Sequence, residues 1–468
     1  MKALLINPPT GIFIREDRCQ SAVSNFSLPV VRPPMDLMMM AASLEKLGFS
    51  CKIKDYPLQG GGWRAYKKDI EDFKPDYLII STTSSTITDD MVSCTIAKRA
   101  NERTVTIAKG ADLYMTAEDA LRQYKNLDIA ITGECESVIT DIVTMKDTLG
   151  SVSGIAHRNA QAIIRNADRA FLGDLDLLPL PARHLVDNRL YQRLDTGAPM
   201  AVIEAGRGCP HRCIFCLAGR TYGRQVRYRS VASIIQEIVD CLKDYRIRDF
   251  HFKSDIFTWD REWVMRLCRG IVDRGMKINW ICNSRVDTLD AGCLRAMKQA
   301  GCWAISLGVE SGSQEMLDRM KKGITLAQSV EAVKLCKAAG IKTYVYFLIG
   351  FPWDTEQTIR DSVEFAQRLG GDFADFFSVY PFRGTELETI AREYGLLGRH
   401  DRRTQAYADT VIDTFFLPKQ RVEQLRKEAL KKFYLRPRYI FNALRDAGSP
   451  KRMVNYIKYG LKLLRVIS

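Results

Sequence analysis

Three cysteines, Cys209, Cys213 and Cys216, stand close together in Glu204-Ala205-Gly206-Arg207-Gly208-Cys209-Pro210-His211-Arg212-Cys213-Ile214-Phe215-Cys216. Thiolates are the usual protein ligands of iron–sulfur clusters. Three of them at steps of four and three residues can wrap one cluster and leave one iron without a protein ligand. An open iron makes a cluster reactive, as an open position marks a catalytic zinc. Gly206 and Gly208 permit a sharp turn, and Arg207, His211 and Arg212 put positive charge beside an anionic cluster. The competing metal, zinc, needs a fourth ligand. His211 lies in the loop, but no distant second Cys-x-x-Cys pair exists. The chain's other ten cysteines are scattered singly, as at Cys268, Cys282 and Cys336, and read as small buried hydrophobes.

The cysteine loop must be held by whatever precedes it, and that is the first strand of a repeating alternation. Apolar runs at Ala201–Ala205, Asp249–Lys253, Ile278–Cys282, Trp303–Val309, Lys342–Ile349 and Phe373–Tyr380 read as strands. Helical periods intervene at Val231–Tyr245, Arg261–Arg274, Ala291–Ala300, Leu326–Ala339 and Thr355–Leu369. Six βα units are too few to close an eight-stranded barrel, so the expectation is a partial (β/α)6 barrel of TIM type. Its chemistry belongs at the carboxyl ends of the strands. Asp255, Arg285 and Glu310 fall at three such ends; the bland alternative is a set of surface ion pairs.

Residues 1–145 show a separate alternation, with strands expected at Lys2–Ile6, Ser50–Lys54, Tyr77–Ser81, Val105–Ala108 and Ile129–Thr132. This pattern predicts a doubly wound, Rossmann-like α/β domain whose ligand sits at the strand ends. Those ends are Asn7-Pro8-Pro9-Thr10, Thr82–Thr86, Lys109-Gly110-Ala111 and Gly133-Glu134. Residues 146–199, with a hairpin expected at Gly154–Ile164 and the turn-rich Leu177–Arg183, read as a linker. Residues 200–395 form the barrel, and 396–468 a helical, basic C-terminal region.

Apolar residues at 46% and charged residues at 26% fit an ordinary globular protein. Pro8 and Pro9 cut the N-terminal apolar run too short for a signal peptide, and no run of 18 apolar residues occurs. A cytoplasmic protein is expected. The formal charge of +14 would suggest nucleic acid, but Pro418–Ser468 holds 14 Lys/Arg against 3 Asp/Glu. The charge belongs to a tail, and no nucleic-acid partner is expected. In that tail Val454, Ile457, Leu461 and Leu464 recur at helical spacing beside Lys458, Lys462 and Arg465. Such a helix can lie on an anionic membrane, or its stripe can cap the barrel.

Taken together, these phrases resemble the radical S-adenosylmethionine (SAM) superfamily, in particular its subgroup with an N-terminal cobalamin-binding domain. The resemblance covers almost the whole chain. It is carried by the cysteine loop, Ile6–Pro9, Gly133-Glu134-Cys135-Glu136, Leu178–Arg183, Ser254–Thr258, Arg285-Val286-Asp287, Gly308–Ser313 and Ile349-Gly350-Phe351-Pro352. It implies a 4Fe-4S cluster on Cys209, Cys213 and Cys216, with SAM chelating the open iron. Asp255 would take the SAM amine, Glu310 the ribose or amino end, and Arg285 the carboxylate. Phe215 would pack near the adenine, with Leu348 and Ile349 on its far side. Pro9, Thr83, Ser84, Gly110, Gly133 and Glu134 would contact cobalamin.

Two departures stand out. The first 150 residues contain no histidine, so none of them can serve as a lower cobalt ligand. Lys109-Gly110-Ala111-Asp112 stands where the family often shows Gly-Gly and then His.

The reaction implied is reductive cleavage of SAM to a 5′-deoxyadenosyl radical and methyl transfer from cobalamin to an unactivated carbon of a small or lipid-like substrate. A reductant such as flavodoxin or ferredoxin would feed the cluster. Cyclisation, hydroxylation or carbon–carbon coupling on a lipid- or tetrapyrrole-like substrate stays open. A methylthiotransferase-like enzyme or a non-catalytic cobalamin or redox sensor ranks lower. Cys19, Cys51 and Cys94 are spaced loosely like methylthiotransferase cysteines, but their surroundings do not match.

Overall fold

A computed structural model describes residues 1–17, 20–25, 31–193, 195–397 and 409–445, with Met453, Val454 and Gly460. Apart from Val454, the tail residues singled out above lie outside the described residues, as does Cys19.

The first sheet has seven strands: β1 (Lys2–Asn7), β2 (Ser50–Asp55), β3 (Tyr77–Ser81), β4 (Val105–Lys109), β5 (Ile129–Ile131), β6 (Ile155–Asn159) and β7 (Ala162–Arg165). Their spatial order is β2-β1-β3-β4-β5-β6-β7. Pairing is parallel through β5 and antiparallel for β6 and β7. The expected hairpin therefore does not stand apart in the linker; it extends this sheet. Every residue of β3 is buried, as a central parallel strand covered on both faces requires. The helices Met35–Lys46 and Cys135–Thr144 pack on one face, and Gly62–Phe73, Val92–Ala100 and Leu113–Gln123 on the other. The order places the topological switch between β1 and β3, where ligands of such sheets bind.

The second sheet begins with the short β8 (Gln192–Arg193) and β9 (Ala198–Glu204). A small ribbon, β10 (Gly206–Arg207) with β11 (Arg227–Tyr228), follows. The sheet then continues through β12 (Asp249–Lys253), β13 (Asn279–Ser284), β14 (Cys302–Glu310), β15 (Lys342–Ile349) and β16 (Phe373–Ser378). The order is β16-β15-β14-β13-β12-β9-β8, parallel from β9 to β16. Six parallel strands in an open sheet are the expected partial barrel.

Its core stacks Phe252, Phe257 and Trp280, with ring centroids 5.0–5.8 Å apart. Helix starts are fixed by side-chain caps: Asp260 before Arg261–Asp273, and capping boxes at Thr325 and Thr355. The helix Lys419–Tyr434 covers the β16 edge through Val422, Leu425, Ala429 and Phe433, and Tyr434 Oη donates to the Ala374 carbonyl at 2.8 Å. No helix among the described residues is long and apolar enough to cross a membrane.

Candidate functional site

The cysteine loop leaves the end of β9 through two glycines that nothing larger could replace without displacing backbone. At Gly206 a Cβ would come within 2.7 Å of the Tyr228 ring and 2.9 Å of the Arg227 carbonyl. Gly208 has φ +95°, and a Cβ there would strike the Gln225 carbonyl. The Gly208 N–H donates to Asp255 at 2.7 Å, which ties the loop to the end of β12.

Cys209, Cys213 and Cys216 are half-buried, while the other described cysteines are fully buried. The Ala218 N–H points at the Cys216 sulfur, 3.4 Å away, a donor suited to a thiolate. Among the described residues no three His, Cys, Asp or Glu side chains converge as ligands of a single ion do. A cluster needs no such convergence, because each thiolate binds a different iron. The donor set fits a three-cysteine cluster and not a tetrahedral zinc.

Between the glycines, Arg207 is 1% exposed and reaches into the N-terminal domain. It meets Glu136 at 2.6 Å, Glu134 at 3.2 Å and, within its own segment, Glu204 at 3.5 Å. Arg227 joins Glu134 at 3.2 Å, and Lys253 pairs with Glu204 at 2.9 Å. Buried charges survive only in such mutual company. Glu134 was expected to face cobalamin; instead its carboxylate lies between two arginines and accepts the Leu172 N–H at 2.7 Å. Its two oxygens are spent on the domain contact.

Asp255, Arg285 and Glu310 are 9%, 5% and 7% exposed, so they are not a surface ion-pair set. Glu310 adopts φ +68° and binds Lys322 at 2.6 Å. The Arg285 fork is occupied by Asp287 at 2.9 and 3.0 Å and by the Lys322 carbonyl at 2.9 Å. Phe215 meets Phe351 edge-on at 5.7 Å, in a cluster that includes Leu348. Ile349 does not share it. Successive side chains of a strand point to opposite faces, and Ile349 packs with Ile359, Val422 and Leu425 beneath the C-terminal helix. Its side chain takes a core position there.

At the switch point of the first sheet a small cleft is lined by Asn7, Ser81, Arg15 and Asp36, among others. Asn7 Oδ1 and Thr132 Oγ1, at the ends of β1 and β5, are buried without partners among the described residues. Asn7 lines the cleft, and an unpaired amide oxygen there suits an amide-rich ligand such as cobalamin. Pro9 is half-buried close by. A Cβ on Gly110 would press within 2.7 Å of the Thr82 carbonyl, so glycine keeps the ends of β3 and β4 together. The Gly133 carbonyl accepts from Tyr114 at 2.9 Å.

The hydroxyl run is turned inward: Thr83 and Thr86 bond each other at 2.8 Å, and both the N–H and hydroxyl of Ser84 bond Gln20. Lys109 is buried in ion pairs with Asp17, at 3.2 Å, and Asp36. Burial pushes Asp17 upward, whereas at Asp36 the same burial is overcome by Lys109, which brings that acid to about 2. His157, on β6, belongs to this sheet but pairs with Ile129, away from the strand ends.

Sequence reasoning missed Glu16, Arg32, His251, Lys253 and Asn283, which line a second cavity between the two sheets. A signal existed on β12. There His251 and Lys253 alternate with the core residues Phe250 and Phe252, the period-two mark of a polar inner face.

Residues 203–366 match the model of the Radical SAM superfamily. That stretch is a radical SAM domain. The chain is 29% identical over 443 residues to an uncharacterized methyltransferase of Pyrococcus horikoshii, covering 94% of each. Its fold matches the radical SAM methyltransferase TsrM of Kitasatospora setae, solved with cobalamin and a [4Fe-4S] cluster, at TM-score 0.70, 15% identity and 99% of both chains. It also matches the cobalamin-dependent SAM radical enzyme OxsB, solved with aqua-cobalamin and SAM, at TM-score 0.74 and 16% identity, over 99% of this chain and 72% of that one.

Proposed function

We propose that the protein is a cobalamin-dependent radical SAM C-methyltransferase. The observation that carries this reading is Arg207, which pins the cysteine loop of one domain to Glu134 and Glu136 at the ligand edge of the other. When bound, the cluster would supply the electron that splits SAM, and cobalamin the methyl group. Cys209, Cys213 and Cys216 would hold the cluster. Asp255, already fixed by Gly208, would take the SAM amine. Glu310 and Lys322 would face its ribose or amino end, and Phe215 with Leu348 its adenine. Arg285 would reach the SAM carboxylate by exchanging Asp287. Asn7 and Thr132 would bond cobalamin amides, beside Pro9, Gly110 and Gly133. Burial of these groups keeps water from the reacting atoms.

The N-terminal domain spans 1–165 in this reading, with the barrel from 198 onward. The substrate is a small molecule or lipid-like, and a flavodoxin or ferredoxin is the reductant. Contact with an anionic membrane is supported by the basic tail and by Ile440 and Phe441, 44% and 67% exposed on the helix before it. Flotation with anionic vesicles at low salt tests that contact; protein left unbound would dismiss it.

Anaerobic incubation of reconstituted enzyme with methyl-labelled SAM and host extract tests the main reading. It should yield 5′-deoxyadenosine and one labelled product by mass spectrometry, and Cys213→Ala should yield neither. A new product without label would favour cyclisation or coupling instead.

A further inference from the structure

The second cavity is small and lies where the N-terminal domain meets the inner face of the barrel. Four of its charges are matched in pairs, and Asp255, which accepts the Gly208 N–H, also lines it. Arg32 holds Glu16 at 2.9 and 3.0 Å, and Lys253 holds Glu204 at 2.9 Å. Two neutral groups are not. His251 is 1% exposed; its Nε2 lies 2.9 Å from Asn283 Oδ1, while Nδ1 has no partner among the described residues. An amide oxygen only accepts, so Nε2 carries the ring proton and Nδ1 offers a lone pair. Burial, then the Arg32 charge, hold the imidazole down at about 3, so it is neutral near pH 7. Ser254, 3% exposed, also leaves Oγ without a partner among the described residues. Buried polar atoms are nearly always bonded in native proteins. Two orphans lining one cavity mark bonding capacity kept for a ligand.

We propose that His251, held by Asn283, and Ser254 form a subsite for a neutral hydroxyl group of the reacting ligand, on either the SAM ribose or the substrate. The proposal rests on the radical SAM reading of this barrel. A hydroxyl donates to His251 Nδ1 and bonds the Ser254 hydroxyl as donor or acceptor. A carboxylate or phosphate is refused, because it brings only acceptors to a nitrogen that has no proton. A quaternary ammonium has no proton to give Nδ1.

Nitrogen-15 NMR of the full-length reconstituted protein tests this, with label only in the imidazole rings. The chain has five histidines, and His251→Gln identifies the signal of interest. SAM is added first, then 1,2-propanediol as a hydroxyl probe, with acetate and tetramethylammonium as charged probes. A shift of the Nδ1 resonance on adding SAM assigns the hydroxyl to its ribose. A shift only on adding the diol assigns it to the substrate side. Ser254→Ala should raise the half-saturating concentration of the active probe about tenfold. The proposal is overturned if no probe moves the resonance, which leaves a bound water only, or if acetate or tetramethylammonium moves it at equal or lower concentration. Iron content and SAM affinity, measured on the same samples, report separately on the radical SAM reading.

Discussion

Glu310 illustrates what burial adds at the scale of one residue. Its carboxylate is not waiting in solvent but is already paired with Lys322 at 2.6 Å in a nearly dry site. Glu310→Gln is therefore expected to lower SAM affinity roughly tenfold, about 1.4 kcal/mol, while iron content stays unchanged. An unaltered SAM affinity by equilibrium dialysis would move the SAM site elsewhere.

Asp354 makes a second case. It accepts the N–H groups of Gly350 and Phe351 at 2.8 and 3.0 Å, yet burial outweighs those bonds and pushes the carboxyl up to about 6. A folded-state value above the unfolded one means the native state binds the extra proton. The stability this provides is full below about pH 4 and is lost as pH rises through about 6. Asp354→Asn keeps an acceptor and cannot ionise. Its stability relative to the native protein should grow between about pH 4 and pH 7 by up to about 3 kcal/mol. Denaturation curves showing a constant difference across that range would refute the shift.

At the scale of the element, the cysteine loop is shaped by β10 and β11 as much as by its own residues. Gly208→Ala must hold an L side chain at φ +95°, which costs about 1–3 kcal/mol on backbone grounds alone, and it must push the Gln225 carbonyl aside. The barrel helices do not depend on this turn. The variant should keep its far-ultraviolet circular dichroism and lose most of its reconstituted cluster absorbance. Full cluster loading would show that the loop can re-form around a Cβ.

The whole molecule is joined by a balanced buried set in which Arg207, Arg227 and Lys253 answer Glu134, Glu136 and Glu204. Removing one member strands the others in low dielectric. Arg207→Met should destabilise the protein by about 3–5 kcal/mol and loosen cobalamin retention, since Glu134 neighbours Gly133. Stability within about 1 kcal/mol of the native protein, by chemical denaturation, would mean the network rearranges without cost. Long-range pairing likewise explains why the linker hairpin did not read as part of a sheet. Its role is set by the strand it meets, and β6 pairs with β5 across 24 residues of chain.

Local pattern alone determined the strands, the open six-unit barrel, the cysteine loop and the three acidic or basic strand ends. Each rests on periodicity or on spacing within a few residues, which physics ties directly to conformation. Ile349, Glu134 and His251 were decided only by the folded structure. Which face a strand end presents, which partner spends a carboxylate, and which buried atom is left unbonded all depend on residues tens to hundreds of positions away. Glu134 meets Arg207 and Arg227 across 73 and 93 residues, and no short window of sequence contains both partners.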